Sequence, residues 1–189
     1  MGGYRSKVTT EGVRTSIDTG HNAIQDGEKA FVRSNGGDWI VTWHGSPTPP
    51  DGTPHGAPAI CVTSDGDIAL ISRDGENWGL PGGRPEGNES WEETMRREVL
   101  EETCALVVHC RLLGFSRGEC QSGHEQGLVL VRSNWRADVV LEDWRPQFEI
   151  PFRSVFPQSE VRDLIITAHQ DGSAPLLLRA LDEALGTIT

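Results

Sequence analysis

The chain has 189 residues, 36% hydrophobic and 24% charged, with 17 Lys and Arg against 28 Asp and Glu for a net charge of −11. That length holds one catalytic-sized core and is too short for two full domains. The acidic balance argues against a duplex nucleic acid partner, whose phosphates Lys and Arg must neutralise, and no apolar run approaches the ~20 residues of a membrane helix.

Residues 1–30 are polar and aperiodic and read as an arm; the opening MGGYRSKVTT has no apolar signal segment, so a cytoplasmic location is expected. Phe31–Arg33 and Trp39–Trp43, around Ser34-Asn-Gly-Gly-Asp38, read as a β-hairpin with Trp39, Val41 and Trp43 on one face, a candidate homodimer surface. Gly45–Gly56 is rich in Pro and Gly and reads as a linker, which makes residues 1–56 an arm, hairpin and linker ahead of a main domain over 57–189. Ala57–Thr63 and Ile68–Ser72 are predicted strands around the turn Ser64-Asp-Gly-Asp67. Residues 90–103 are predicted helical, with Ser90 and Glu93 spaced as a capping box. Leu106–Phe115 and Gly127–Arg132 follow as strands, Val139–Leu141 and Glu149–Phe152 as shorter ones. Two helices close the chain, Ser159–His169 and Ala174–Leu185, the second with Ser173 as cap, Pro175 in its first turn and Gly186 at its end. This mixed order predicts an α/β fold, a sheet covered by helices. Cys61, Cys104, Cys110 and Cys120 lack CxxC spacing and read as reduced thiols; with His124 they match no usual zinc pattern.

The predicted helix over 90–103 carries the chemistry. Glu98, Glu101 and Glu102 stand at i, i+3 and i+4 and share a face with Trp91, Thr94 and Met95, so the carboxylates interrupt the stripe that should point at the core. Two carboxylates about 4 Å apart repel by about 4 kcal/mol at an effective dielectric of about 20, so three in one place call for a cation. Oxygen ligands without His or Cys favour Mg²⁺ or Mn²⁺ over zinc.

Gly83, Glu89 and the run Arg97-Glu98-Val99-Leu100-Glu101-Glu102 resemble the Nudix box, G-x5-E-x7-R-E-U-x-E-E-x-G-U with U aliphatic, and Trp78-Gly-Leu-Pro-Gly-Gly83 resembles its usual run-in. The resemblance implies an α/β/α sandwich around a mixed sheet and Mg²⁺- or Mn²⁺-dependent hydrolysis of the pyrophosphate bond in a nucleoside diphosphate linked to another group, a small phosphorylated substrate. It implies that Glu98, Glu101 and Glu102 bind the metal, with the Gly83 carbonyl as a further ligand. Glu98 is also the general-base candidate within the box, a downstream acid being the alternative, and Arg97 with Glu89 resembles the family's ion pair. A non-catalytic Nudix-fold module that senses a nucleotide or binds a protein is the rival reading, and the complete set of carboxylates counts against it. One departure stands out: Thr103-Cys104-Ala105 occupies the place of x-Gly-aliphatic, where a left-handed Cys104 would cost about 1 kcal/mol.

Outside the box the sequence says less about substrate. Cys120-Gln121 stands where ADP-ribose hydrolases of the family carry proline, and Ser122 where diadenosine polyphosphate hydrolases carry tyrosine. Arg84, Arg73 and Arg117 are candidate phosphate contacts, Trp78 and Trp43 candidate stacking residues. For the downstream acid Glu119, Glu125, Glu142 and Asp143 are available, and the Gly-flanked loop Ser122–Gly127 favours Glu125.

Overall fold

Asn35 and Gly36 both take positive φ, 52° and 72°, as a two-residue hairpin turn requires. They join β1 (Lys29–Ser34) to β2 (Gly37–His44). The structure, a computed structural model, describes residues 22–146 and 150–187. The Trp39/Val41/Trp43 face forms, but it turns inward: Trp43 is fully buried in the main core, and the Arg179 guanidinium lies 5.8 Å from the centre of its ring. Trp43 is thus taken up by the chain's own core, while Trp39 and Val41 line a cleft. Residues 1–21 of the expected arm lie outside the described residues. Ile24, by contrast, is a core residue, and its N–H donates to the Pro175 carbonyl at 3.1 Å.

β2 pairs antiparallel with β6 (Ala105–Cys120), and β6 with β7 (Val129–Leu141). β7 runs parallel to both β3 (Thr53–Gly56) and β4 (Ala59–Val62); β4 pairs with β5 (Ile68–Ser72), and β5 with β8 (Phe152–Phe156). The result is one eight-stranded mixed sheet, ordered β1-β2-β6-β7-β4-β5-β8 with β3 beside β7. β3 falls inside the stretch expected to be linker. Among the described residues it pairs on one side only, where a proline such as Pro54 is tolerated.

β6 and β7 are longer than expected. The polar run Ser133–Asp138 conceals a continuous strand, because its polar groups satisfy one another: Trp135 Nε1 donates to Ser133 Oγ at 2.8 Å, and Arg136 pairs with Asp138 at 2.8 Å. The expected strand Glu149–Phe152 falls partly outside the described residues, and β8 starts at its last position.

Helices cover both faces of the sheet, as the fold class requires. Ile60, Val62, Ile68 and Leu70 point to one side, under α2 (Gln158–Ala168) and α3 (Ala174–Leu185). Ala59, Cys61 and Ala69 alternate to the other, beneath α1 (Trp91–Thr103). These small side chains let α1 sit close to the sheet with Met95 and Val99 fully buried, each burial worth roughly 1.5–3 kcal/mol. α3 begins differently from expectation: Ser173 is helical (φ −82°, ψ −15°) and its hydroxyl donates to Asp171 Oδ1 instead of capping. Gly186 ends that helix in the left-handed conformation, φ 69°.

α1 starts on the capping box, with Ser90 Oγ accepting from Glu93 N–H at 3.3 Å and Glu93 Oε2 from Ser90 N–H at 2.8 Å. It ends at Cys104, which takes the left-handed conformation at φ 48°, ψ 47°. Cys104→Gly should therefore relieve about 1 kcal/mol of backbone strain, partly offset by unfolded-state entropy and by loss of the Cys104 Sγ to Arg145 carbonyl contact at 3.3 Å. The expected result is a Tm about 1–2 °C higher in the reduced protein. A lower Tm would mean that the cysteine's contacts outweigh its strain.

Candidate active site

The loop between β5 and α1 is laid along the start of β4. Gly79 and Ile71 exchange backbone hydrogen bonds, Ala59 N–H donates to the Pro81 carbonyl, and Ala57 N–H to the Gly83 carbonyl, both at 3.0 Å. From the helix side, Glu102 Oε2 accepts from Gly82 N–H at 2.8 Å. The loop so fixed presses on α1: a Cβ on Gly83 would stand 2.1 Å from Glu98 Oε1. Only glycine leaves room for the Glu98 carboxylate there.

Arg97 organises the acidic face. Its Nε donates to Glu89 Oε1 at 2.7 Å and its Nη2 to Glu89 Oε2 at 3.0 Å, a two-pronged pair, while Nη2 also reaches the Arg84 carbonyl at 2.9 Å. Nη1 turns the other way, to Glu98 Oε1 at 2.7 Å and Glu101 Oε2 at 3.3 Å. Glu89 further accepts from Glu86 N–H and Thr94 Oγ1. The Arg97 hydrogen bonds above all, then that from Glu86, hold the Glu89 carboxyl down at about 2. Glu98 moves the opposite way. Its side chain is only 13% exposed, and burial raises its pKa against the pull of Arg97.

Glu98, Glu101, Glu102 and the Gly83 carbonyl form an all-oxygen set suited to a hard divalent cation. The Gly83 oxygen already accepts from Ala57 and has a second lone pair left. Among the described residues no three acidic, His or Cys side chains converge as a finished cage. Glu98 and Glu101 lean on Arg97, and Glu102 leans on Gly82. The oxygen donors of these residues fit a hard divalent cation in chemistry.

Beside this face opens a cleft of about 540 Å³. Gly82, Gly83 and Arg84 line it next to α1, Arg132 and Asn134 come from β7, His55 from β3, and Glu125 from the loop after β6. Its apolar wall includes Trp39, Val41, Leu176 and Leu177. Concave, mixed-polarity spaces of this size are typical of small-molecule sites.

The NUDIX domain model matches residues 53–176, two thirds of the chain and the whole stretch from β3 into α3. The chain belongs to the Nudix family. Solved structures share the fold. A mutant of the Bacillus subtilis pyrophosphohydrolase BsRppH aligns with a TM-score of 0.64 at 23% identity, over 84% of this chain and 96% of its own. A NUDIX hydrolase from Nitrosomonas europaea aligns with a TM-score of 0.55 at 23% identity, over 71% of this chain and 90% of its own. No curated protein matches the chain.

Within this Nudix chain the structure brings Gly83, Glu89, Arg97, Glu98, Glu101 and Glu102 together, with Arg84 and Glu125 in the adjoining cleft. Arg73 and Trp78 stand outside the cleft lining. Arg73 is exposed just past β5, and Trp78 packs edge-on against Phe156 with centroids 5.0 Å apart. Trp43 is sealed in the core, and Arg117 pairs with Glu119 outside the cleft. Sequence reasoning missed Arg132 and His55. The signal available for the first was a lone arginine directly after the apolar run Leu128–Val131, in step with Leu130 and Asn134.

Proposed function

We propose that the chain is a divalent-cation-dependent pyrophosphohydrolase acting on a small nucleoside diphosphate derivative. The observation that carries this reading is the carboxylate face of α1 pressed onto the Gly82–Arg84 loop at the edge of a ligand-sized cleft. Mg²⁺ or Mn²⁺, when bound there, offsets phosphate charge and acidifies water. Glu98, Glu101 and Glu102 would hold that cation. The raised basicity of the partly buried Glu98 suits it to accept the proton released as water attacks phosphorus. Arg97 orients Glu98 and ties Glu89 to the loop, so the loop and helix stay in register through the reaction. Glu125, on the cleft lining, is the alternative proton acceptor. The net charge of −11 leaves charge neutralisation to the cation and to arginines in the cleft, which suits a small ligand better than a nucleic acid duplex.

The test is turnover of a panel of nucleotide sugars, dinucleotides and nucleoside triphosphates with Mg²⁺, reading nucleoside monophosphate or phosphate release. The same cation should raise Tm of the wild type, through the RT ln(1+[L]/Kd) it adds to the native state, more than that of Glu102→Gln. Equal Mg²⁺ shifts in both proteins would put the cation elsewhere.

A further inference from the structure

Among the described residues many arginines rest on a carboxylate, as Arg96 does on Glu92, Arg97 on Glu89, Arg136 on Asp138, Arg162 on Asp182 and Arg179 on Glu183. Arg132 and Arg84 do not. Among the described residues neither guanidinium makes an ion pair or a side-chain hydrogen bond, and both line the cleft. Arg132 rises from near the start of β7, between Ser116 of β6 and Gly56 of β3. Its stem lies along Gly56, where an added Cβ would come within 3.3 Å of Cγ, 3.5 Å of Cδ and 3.6 Å of Nε. The strand register and the missing side chain at residue 56 together direct this arginine into the cleft.

Arg84, Glu125 and Asp171 share the cleft lining with it. Although the Arg132 side chain reaches solvent, the protein packed around it lowers its pKa, Arg84 lowers it further, and Asp171 pulls the other way. His55, one residue before Gly56, is held down at about 4 by desolvation first and then by Arg132 and Arg84, with Glu125 pulling weakly the other way. At neutral pH the imidazole is therefore uncharged and has an N–H to donate. Two guanidiniums and a neutral imidazole without bound carboxylates form a set that an anion would stabilise and a cation would not. Ordinary surface arginines reach bulk water separately, whereas these share one cleft wall with the loop that touches Glu98.

We propose that Arg132 and Arg84, with His55 beside them, form a subsite that grips two adjacent phosphoryl groups of the substrate, leaving the apolar wall of Val32, Trp39, Val41, Leu130, Leu176 and Leu177 to the rest of the ligand. This deepens the pyrophosphohydrolase reading and rests on it for the word substrate. Each guanidinium offers a fork that matches the oxygens of one phosphoryl group, so a diphosphate engages both forks and a single phosphate only one.

The experiment is calorimetric titration of the metal-free protein in EDTA with inorganic pyrophosphate and, separately, with orthophosphate. Pyrophosphate should bind more tightly than orthophosphate. Arg132→Gln and Arg84→Gln should each weaken it by about 10–100-fold. Arg117→Gln, which changes the net charge equally but lies outside the cleft, should leave affinity within about twofold of wild type. Gly56→Ala tests the same subsite without altering charge, since its Cβ pushes the Arg132 stem aside, and should also weaken pyrophosphate. Relief of repulsion between the guanidiniums should leave Tm of Arg132→Gln at or above that of wild type. No pyrophosphate binding by the wild type, or equal losses in Arg132→Gln and Arg117→Gln, would overturn the subsite. Failure of the hydrolase reading shows separately, as an absence of metal-dependent turnover while pyrophosphate still binds through Arg132.

Discussion

Glu98→Gln is expected to leave the fold intact and to lower kcat by about 10²–10⁴, the largest rate effect of any single change considered for this chain. Glutamine has the shape of glutamate, so it fits the space that Gly83 leaves open and its carbonyl oxygen can still accept from Arg97 Nη1. What disappears is one negative charge from the carboxylate face of α1, on a group whose pKa burial raises. That loss does not disturb Met95 or Val99, which anchor α1 to the sheet on its buried side. Circular dichroism and Tm should therefore stay close to wild type while turnover with Mg²⁺ collapses. Activity within threefold of wild type would remove Glu98 from the chemistry and leave Glu125 as the proton acceptor to test next.

The parts of this site that were legible in the sequence are those whose geometry is local. Helix periodicity alone puts Glu98, Glu101 and Glu102 on one face, and the Ser90 and Glu93 pair fixes where that helix begins. The left-handed Cys104 follows from a position that family members give to glycine. Arg132 and His55 escape such reasoning because what places them is strand register, Gly56 against Arg132 and Arg132 against Ser116, between segments far apart in the chain. β3 escapes for a related reason: a four-residue strand in a Pro- and Gly-rich stretch exists only because β7 is there to pair with it. The hairpin was readable as a hairpin, yet nothing in its own residues says that the Trp43 side meets Arg179 of α3 instead of solvent. Ser173 illustrates the converse error, a residue of the right type beside a helix whose hydroxyl is taken by Asp171.

Arg97→Ala should damage stability and rate together. The change deletes the two-pronged bond to Glu89, the donation to the Arg84 carbonyl and the contacts with Glu98 and Glu101, so the loop loses its tie to α1 and the clustered carboxylates lose their cation. A fall in Tm of about 5 °C or more, with turnover down by about 10–10²-fold through misplacement of Glu98, is the expected outcome. The pH dependence gives this prediction a sign. In the folded protein Glu89 is held at about 2, below the ordinary value of about 4.3 that it regains on unfolding. The folded state thus binds fewer protons there, and the stability contributed by the pair is complete above about pH 5 and lost as the pH falls toward about 2. The gap in Tm between wild type and Arg97→Ala should accordingly be widest near neutrality and narrow steadily in acid. A gap that stays constant from pH 7 to pH 2.5 would show that Arg97 stabilises the protein by packing alone, and equal Tm values throughout would show that the pair does not hold the loop at all.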